Sequence, residues 1–387
     1  MDSIYFDHAA TTPLDERVLE AMLPYFKSEF GNASSTHQKG QAAKVALENS
    51  REIIAELINA EPSEIIFTSG GTESNNAIIK GVLEVSGGKN EILTSPLEHH
   101  AVLHTVELTK RTGGHPLYLD TNPDGSFTAE QVKKFLTDKT ALVSLMHVNN
   151  EIGSINPVGE IADVCREMGV PFHTDAVQSV GKIPLDVKEL GVDFLSISGH
   201  KLYGPKGIGV MYIRNGAPWI PFISGGSQER RRRGGTSNIP AIVGLAKAME
   251  LSIAEMDDLR SLYIKLRKKL FEKLDKNLSS RYQVNGPISG GVPHIINLGF
   301  QTDEGGGLDG EMLLLNLDIE GICVSNGSAC TSGAVEPSHV LSGIGIDKKI
   351  ANASIRVSFG KSNTFEEIDY FVKKLEKVLT RMLTTAS

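Results

Sequence analysis

The sequence predicts an α/β protein with a large, mostly parallel sheet, followed by a smaller α+β unit. Three observations predict it. Short apolar runs alternate with helical stretches from residue 37 to about residue 213. Near residue 239 the alternation gives way to a long, charged, helix-favouring stretch. Polar and titratable residues recur just past the ends of the apolar runs.

Residues 37–59 read as an amphipathic helix, with Ala43, Leu47, Ile54 and Leu57 near helical spacing. EIIFTSGGTESNNAIIKGVLEV then gives an apolar strand, a glycine turn and a helix. The unit repeats: NEILTS precedes HHAVLHTVELTKRTG, PLYLD precedes TAEQVKKFL, and ALVSLMHV precedes PVGEIADVCREMG. FHTDAV, VDFLSIS and GVMYIR complete the set of strands. Strands alternating with helices argue for a parallel sheet covered on both faces. Ligands of such sheets lie beyond the carboxyl ends of the strands. Thr72, His99, Asn150, Asp175 and Lys201 all fall at or just past those ends.

In the helix opened by Pro157, the residues Ile161, Val164, Cys165 and Met168 share one face, so Cys165 is expected in the core and Gly169 as the stop. Residues 239–279 bridge into the second unit. There PHIINLG, GICVS and SIRVSFG suggest strands, with helices in GEMLLLNLD and FEEIDYFVKKLEKVLTRML. The segment before about residue 15 is left to pack on either unit.

The 387 residues hold two or three domains' worth of core at about 150 residues each. A net charge of −8 argues against a broad nucleic-acid-binding surface. The run from Arg230 to Arg233 is the exception, and reads as a solvated basic loop or an anion contact. Cys165, Cys323 and Cys330 are too scattered for a disulfide framework or a zinc site, and a reducing compartment fits. The N-terminus lacks a signal-peptide pattern, and no apolar run approaches the roughly 18 residues of a membrane span. A cytoplasmic protein with no membrane and no direct nucleic-acid partner is expected.

The stretch from Thr174 to Gly207 carries the chemical argument. Asp175 ends one apolar run, and Lys201 follows the next in Ser198-Gly199-His200-Lys201. Either alone is ordinarily a cap or a solvated tip. An acid and an amine at the mouths of neighbouring strands, with Gln178, Ser198 and His200 close by in sequence, suit pyridoxal phosphate. That cofactor needs a lysine for a Schiff base and an acid to keep its pyridinium nitrogen protonated.

Ser69-Gly70-Gly71-Thr72-Glu73 links a strand to a helix and suits a phosphate, although such turns are common. His99 and His100 begin a helix, where a ring can stack on a planar cofactor and shuttle protons; an ordinary helix-start histidine is the alternative. Cys330, in SNGSACTSG, sits in a small, polar, glycine-rich stretch that reads as an exposed, mobile loop, where a thiol can act as a nucleophile or be a casual surface cysteine. Arg356 is a charge inside a strand-like run and can fork a carboxylate or simply be a strand arginine.

With these residues assembled, the chain resembles the cysteine desulfurases, in their NifS/IscS-like branch. The resemblance runs nearly end to end through YFDHAATTP, FTSGGTESNN, EHHAVL, MHVNNEIG, TDAVQSVGK, SGHKLYGPKGIG, RRGGTSN, SNGSACTSG and SIRVSFG. It implies an aspartate-aminotransferase-like architecture of fold type I, with a large, mostly parallel sheet of seven-stranded type. Residues 15–255 would form the large cofactor domain. Residues 1–14 plus 256–387 would form a small C-terminal domain carrying the cysteine loop.

Roles follow residue by residue. Lys201 would hold pyridoxal 5'-phosphate as a Schiff base, Asp175 would pair with its ring nitrogen and Gln178 with its ring oxygen. His99 would stack on the ring and act as acid and base. Gly71, Thr72, Ser198, Gly199 and His200 would surround the phosphate, joined by Thr236 from the other subunit of a homodimer. Asn150, beside the cofactor, would bind the substrate carboxylate with Arg356, and Cys330 would attack the substrate sulfur. The implied reaction turns L-cysteine into L-alanine and leaves a persulfide on Cys330. An iron–sulfur scaffold or another sulfur acceptor, including the route to thiolated tRNA, would then receive the sulfur. No permanent metal is implied, although Cys330 is a candidate transient ligand of an iron–sulfur cluster. Asn326, where many relatives have serine, and Gly333 are the departures, and both bear on the loop rather than on catalysis. A selenocysteine lyase, a cysteine β-lyase on the same scaffold and a non-catalytic sulfur carrier are the rival readings.

Overall fold

A computed structural model of the chain describes residues 3–301, 308–326 and 337–385. Among them the strands are β1 (Ile4–Tyr5), β2 (Ile65–Thr68), β3 (Glu91–Thr94), β4 (His115–Tyr118), β5 (Thr140–Ser144), β6 (Phe172–Asp175), β7 (Phe194–Ser198), β8 (Gly209–Ile213), β9 (Tyr282–Asn285), β10 (Ile295–Phe300), β11 (Ile322–Cys323) and β12 (Ser354–Ser358).

Seven of these strands form one sheet in the order β2-β8-β7-β6-β5-β3-β4. The pairs from β4 through β7 are parallel, and only β8 runs against its two neighbours. Strands covered on both faces read as continuous apolar runs, which is why β5, β7 and β8 are buried at every position. Successive side chains go to opposite faces. Ile65 and Phe67 join the larger core with residues of helices Gln38–Leu57 and Ile239–Ala254. Ile66 joins a second cluster with Ile78 and Val82 of helix Gly71–Glu84 and Val102 and Val106 of helix His100–Thr109.

The expected bridge at 239–279 is two helices, Ile239–Ala254 and Met256–Asn277, that part at Glu255. The second helix contributes Tyr263, Leu266, Leu270 and Leu274 to a separate core. There it meets the antiparallel sheet β12-β10-β9 and the apolar stripe Ile368, Phe371, Val372, Leu375 and Leu379 of helix Phe365–Thr385. The chain does not stay with this core: Val340, Leu341, Ile344 and Ala351 pack into the larger one.

The N-terminal segment joins both units. β1 pairs in parallel with β11, Phe6 enters the smaller core, and Thr12 donates its backbone N–H to the His200 carbonyl at 2.9 Å. Ala9 and Ala10 lie between those anchors. No helix among the described residues is long and apolar enough to cross a membrane.

The edge strand β2 is closed by side chains rather than by another strand. Glu229 accepts the Phe67 N–H at 3.0 Å, and Arg51 donates to the Ile65 carbonyl at 2.7 Å. Arg51 and Glu229 also form a buried bidentate pair at 2.8 and 2.9 Å. The arginine run is therefore a docking segment. Arg230 and Arg232 donate to the Pro62 and Ser63 carbonyls, and Arg233 forks Glu73 at 2.9 and 3.1 Å.

Candidate active site

The carboxyl ends of β2, β3, β5, β6 and β7 open onto a cavity of about 280 Å³. Gly71, Thr72, His99, Asn150, Asp175, Gln178, Ser198, His200, Lys201 and Arg356 all line it. Residues from distant stretches of chain thus converge on one space, as the topology of an open parallel sheet requires.

Lys201 closes the short helical turn Gly199–Lys201 directly after β7. Its Nζ donates to the carbonyl oxygens of Ala9 and Ala10 at 2.5 and 2.6 Å. The amine is held inward by the N-terminal segment, a role for YFDHAATTP that its sequence does not announce. Gln178 donates to the same Ala9 carbonyl at 2.9 Å.

Asp175, the last residue of β6, is buried. Its Oδ1 accepts the Val177 N–H at 3.0 Å, and its Oδ2 accepts from Asn75 at 2.7 Å. Asn75, on helix Gly71–Glu84, is one of the residues the sequence reading missed. Its Oδ1 is buried with no partner.

His99 is the N-cap of helix His100–Thr109, and its Nδ1 accepts the Ala101 N–H at 3.1 Å. In the neutral ring the proton therefore sits on Nε2. Burial lowers the pKa of this imidazole, the Asp175 carboxylate opposes that, and Lys201, His100 and His339 add to the lowering. His200 is lowered to about 4, first by burial and then by Lys201, Lys206 and His99.

Gly71, Thr72, Ser198 and His200 also line a second, more open cavity of about 380 Å³ that adjoins the first, together with Ser69, Gly70, Lys206 and Glu73, whose carboxylate is neutralised by Arg233. Gly70 has φ +146°, a conformation side chains resist, and this turns β2 into the helix start at Gly71. The close packing is tight: a Cβ on Gly209 would stand 2.6 Å from the Gly70 Cα. The result is a polar cup with a lysine at its rim, open to a small anion.

Arg356 reaches the first cavity from β12 of the smaller unit. Its guanidinium donates to the Asn150 carbonyl at 2.9 Å and to Asp7 at 2.7 Å, while its Nε is buried without a partner. Glu151, the next residue after Asn150, is buried on the cavity wall and accepts from the Ser338 hydroxyl at 2.5 Å.

Gly199 and Thr236 do not line the cavity. Gly199 is packed beneath, where a Cβ would stand 2.9 Å from the Pro205 carbonyl, and Thr236 is exposed. Cys330 lies outside the described residues. Cys165 is a core residue, its thiol pushed up to about 12 by burial. Besides Asn75, the sequence reading missed Ala9, Ala10, Glu151, and His339 on the wall beside His100; only the acidity of Glu151 next to Asn150 offered any signal.

A family model described as aminotransferase class-V matches residues 4–371. The cysteine desulfurase IscS of Dictyoglomus turgidum is 47% identical over 98% of this chain and 95% of its own length. The cysteine desulfurase IscS of Methanosarcina thermophila is 42% identical over 98% of this chain and 93% of its own. Among solved structures, a NifS-like protein matches with a TM-score of 0.91 at 39% identity, covering 98% of this chain and 100% of that one. SspA in complex with cysteine matches with a TM-score of 0.80 at 37% identity, covering 92% and 98%. The seven-stranded sheet and its smaller companion are the architecture these likenesses share, fold type I.

Proposed function

This chain belongs to the aminotransferase class-V family, and from that premise we infer that it is a cysteine desulfurase, forming L-alanine from L-cysteine and a persulfide on Cys330. The convergence of Lys201, Asp175, His99 and Arg356 on one cavity carries this reading.

The site fits pyridoxal 5'-phosphate. An inward-held amine and a buried carboxylate line the same cavity, Asn75 keeps an unpartnered oxygen beside the carboxylate, and a polar cup adjoins. Lys201 would hold the cofactor covalently, Asp175 its ring nitrogen, Gln178 its ring oxygen, and Gly71, Thr72, Ser198 and His200 its phosphate, with the Gly199 backbone shaping the turn. When bound, that group supplies an electron sink for the bonds at the substrate Cα.

The rest falls to the chain itself. Arg356, with its spare Nε and the neighbouring Asn150, would bind and orient the substrate carboxylate. His99 would hold a proton at Nε2 and pass it within the cavity. Cys330 would supply the thiolate that takes the sulfur. The reaction balances without an outside oxidant: one C–S bond breaks, one S–S bond forms, and the methylene of cysteine becomes the methyl of alanine.

Two copies of the chain would pair, burying the exposed stripe Leu19, Leu23, Phe26 and Phe30 and offering Thr236 of each copy to the phosphate of the other. The domains would be residues 15–255 and residues 1–14 with 256–387, a reading that the separate cores support, although Val340, Leu341, Ile344 and Ala351 pack into the larger one. The persulfide would pass to an iron–sulfur scaffold or another sulfur-acceptor protein.

Incubation with L-cysteine alone tests this reading, with alanine quantified and the Cys330 peptide weighed for an added sulfur. Pyruvate in place of alanine would identify a β-lyase, and activity confined to selenocysteine would identify a selenocysteine lyase. Neither product, with no cofactor absorbance, would leave only a carrier protein.

A further inference from the structure

The cavity wall carries a second group of imidazoles beside His99. His100 and His339 both line the cavity, with ring centroids 4.7 Å apart and planes tilted by 42°. His104, one helical turn onward, stacks on His100 at 4.8 Å and is exposed. The His99 centroid lies 6.4 Å from that of His100. A line of rings therefore leads from the cavity to the protein surface. The described residues include no group of three or more ligating side chains arranged for a metal, so this is not read as a metal centre.

The hydrogen bonds indicate where a proton can go. His339 Nε2 lies 2.9 Å from the Glu98 carbonyl oxygen and must donate to it, which leaves Nδ1 as the lone-pair atom of the neutral ring. His100 Nδ1 has no partner and no contact with solvent. His100 also opens a helix, where the macrodipole disfavours a cation. Burial lowers the pKa of both rings first; His339 and His104 add to the lowering on His100, and on His339 the bond to the Glu98 carbonyl opposes burial while His104 adds to it. Asp175 and Lys201 act on His99 instead. The Glu98 carboxyl is pushed up to about 8, mainly by burial, so it is neutral at pH 7. No carboxylate among the described residues pins a proton on either ring, and a proton on one opposes a second on the other.

We propose that His100 and His339 are a shared proton-holding pair for thiols entering the cavity, with His104 as the outlet to solvent. The proposal rests on the desulfurase reading. That reaction consumes a thiol proton and gains one at carbon, and thiols with pKa near 8.5 are mostly protonated at neutral pH. In the step, S–H gives its proton to an imidazole lone pair, leaving a thiolate with the electron pair and an imidazolium. The proton returns when the methylene carbon becomes a methyl group.

The test is the pH dependence of kcat/KM for L-cysteine, followed as alanine, in the holoenzyme and in His100→Asn, His339→Asn and the double variant. Asparagine keeps polarity but takes no proton. The double variant is expected to lose about tenfold or more at neutral pH. Near pH 9.5 it should approach wild type, because the thiols there ionise unaided. Cofactor absorbance and thermal midpoints are followed alongside. An equal loss at every pH with a lowered midpoint would show a structural role and overturn the pair, as would profiles that superimpose on wild type. A wild-type holoenzyme that makes no alanine sinks the desulfurase reading itself, whereas a productive wild type with unmoved variants sinks the pair alone.

Discussion

Asn75 Nδ2 donates to Asp175 Oδ2 across 2.7 Å, with both side chains buried under the cavity. A hydrogen bond to a charged group contributes about 1.5–3 kcal/mol, and this one fixes the carboxylate that would face the cofactor nitrogen. Asn75→Ala should therefore weaken retention of pyridoxal phosphate by roughly tenfold or more. Spectrophotometric titration of the apoprotein measures it, and unchanged retention would remove Asn75 from the site.

Cys330→Ala should keep the cofactor absorbance and make no alanine from L-cysteine. Lys201→Ala should lose turnover with the fold intact, because the amine held at Ala9 and Ala10 is gone. Alanine release and the absorption spectrum separate the two phenotypes. Sustained cycling in either variant contradicts its assigned role.

Glu98 should make the protein less stable as pH rises. Burial raises its carboxyl from 4.5 to about 8, so between those values the folded state binds a proton that the unfolded chain has released. Stability falls across that window by up to about 1.4 kcal/mol per pH unit. Glu98→Gln removes the dependence. Its stability relative to wild type should climb between pH 5 and pH 8 in denaturant titrations.

On the acid side the sign reverses. Burial lowers His8 and His147 from 6.5 to about 4 and His173 to about 3. Below the ordinary imidazole range the unfolded chain takes protons that the folded chain refuses, so stability is lost as pH falls from 6.5 toward 3. His173→Asn should soften that loss, read as a smaller drop in thermal midpoint between pH 6 and pH 4.

Arg51→Met strands the Glu229 carboxylate under the edge strand and should cost about 3–5 kcal/mol in denaturant unfolding. Adding Glu229→Leu should restore part of it, since a buried pair replaced by apolar groups is often near neutral. A single variant as stable as wild type would show that the pair does not secure this edge.

The alternation of apolar runs and helices was enough to announce a large, mostly parallel sheet, because each βα unit is local and a parallel sheet buries its strands whole; its strand order and the antiparallel β8 came only with the structure. The same locality put Thr72, His99, Asp175 and Lys201 at strand ends. It could not reveal Ala9 or Ala10, whose contribution is backbone carbonyls delivered across some 190 residues. Nor could it reveal that the basic run at Arg230 docks on the segments flanking β2, at Pro62, Ser63 and Glu73, since a guanidinium reads as a surface group until its partner is found beside it.

By itself, then, the sequence determined the layered α/β architecture and the residue types at the mouths of its strands, since periodicity and strand-end position are written in neighbouring residues. Only the tertiary structure decided that Asn75 braces Asp175, that Arg356 of the smaller sheet lines the same cavity as Lys201, and that His339 stands beside His100. Each of those relationships joins segments far apart in the chain, brought together on one cavity by the large sheet's topology and, for Arg356, by the packing of the smaller unit beside it.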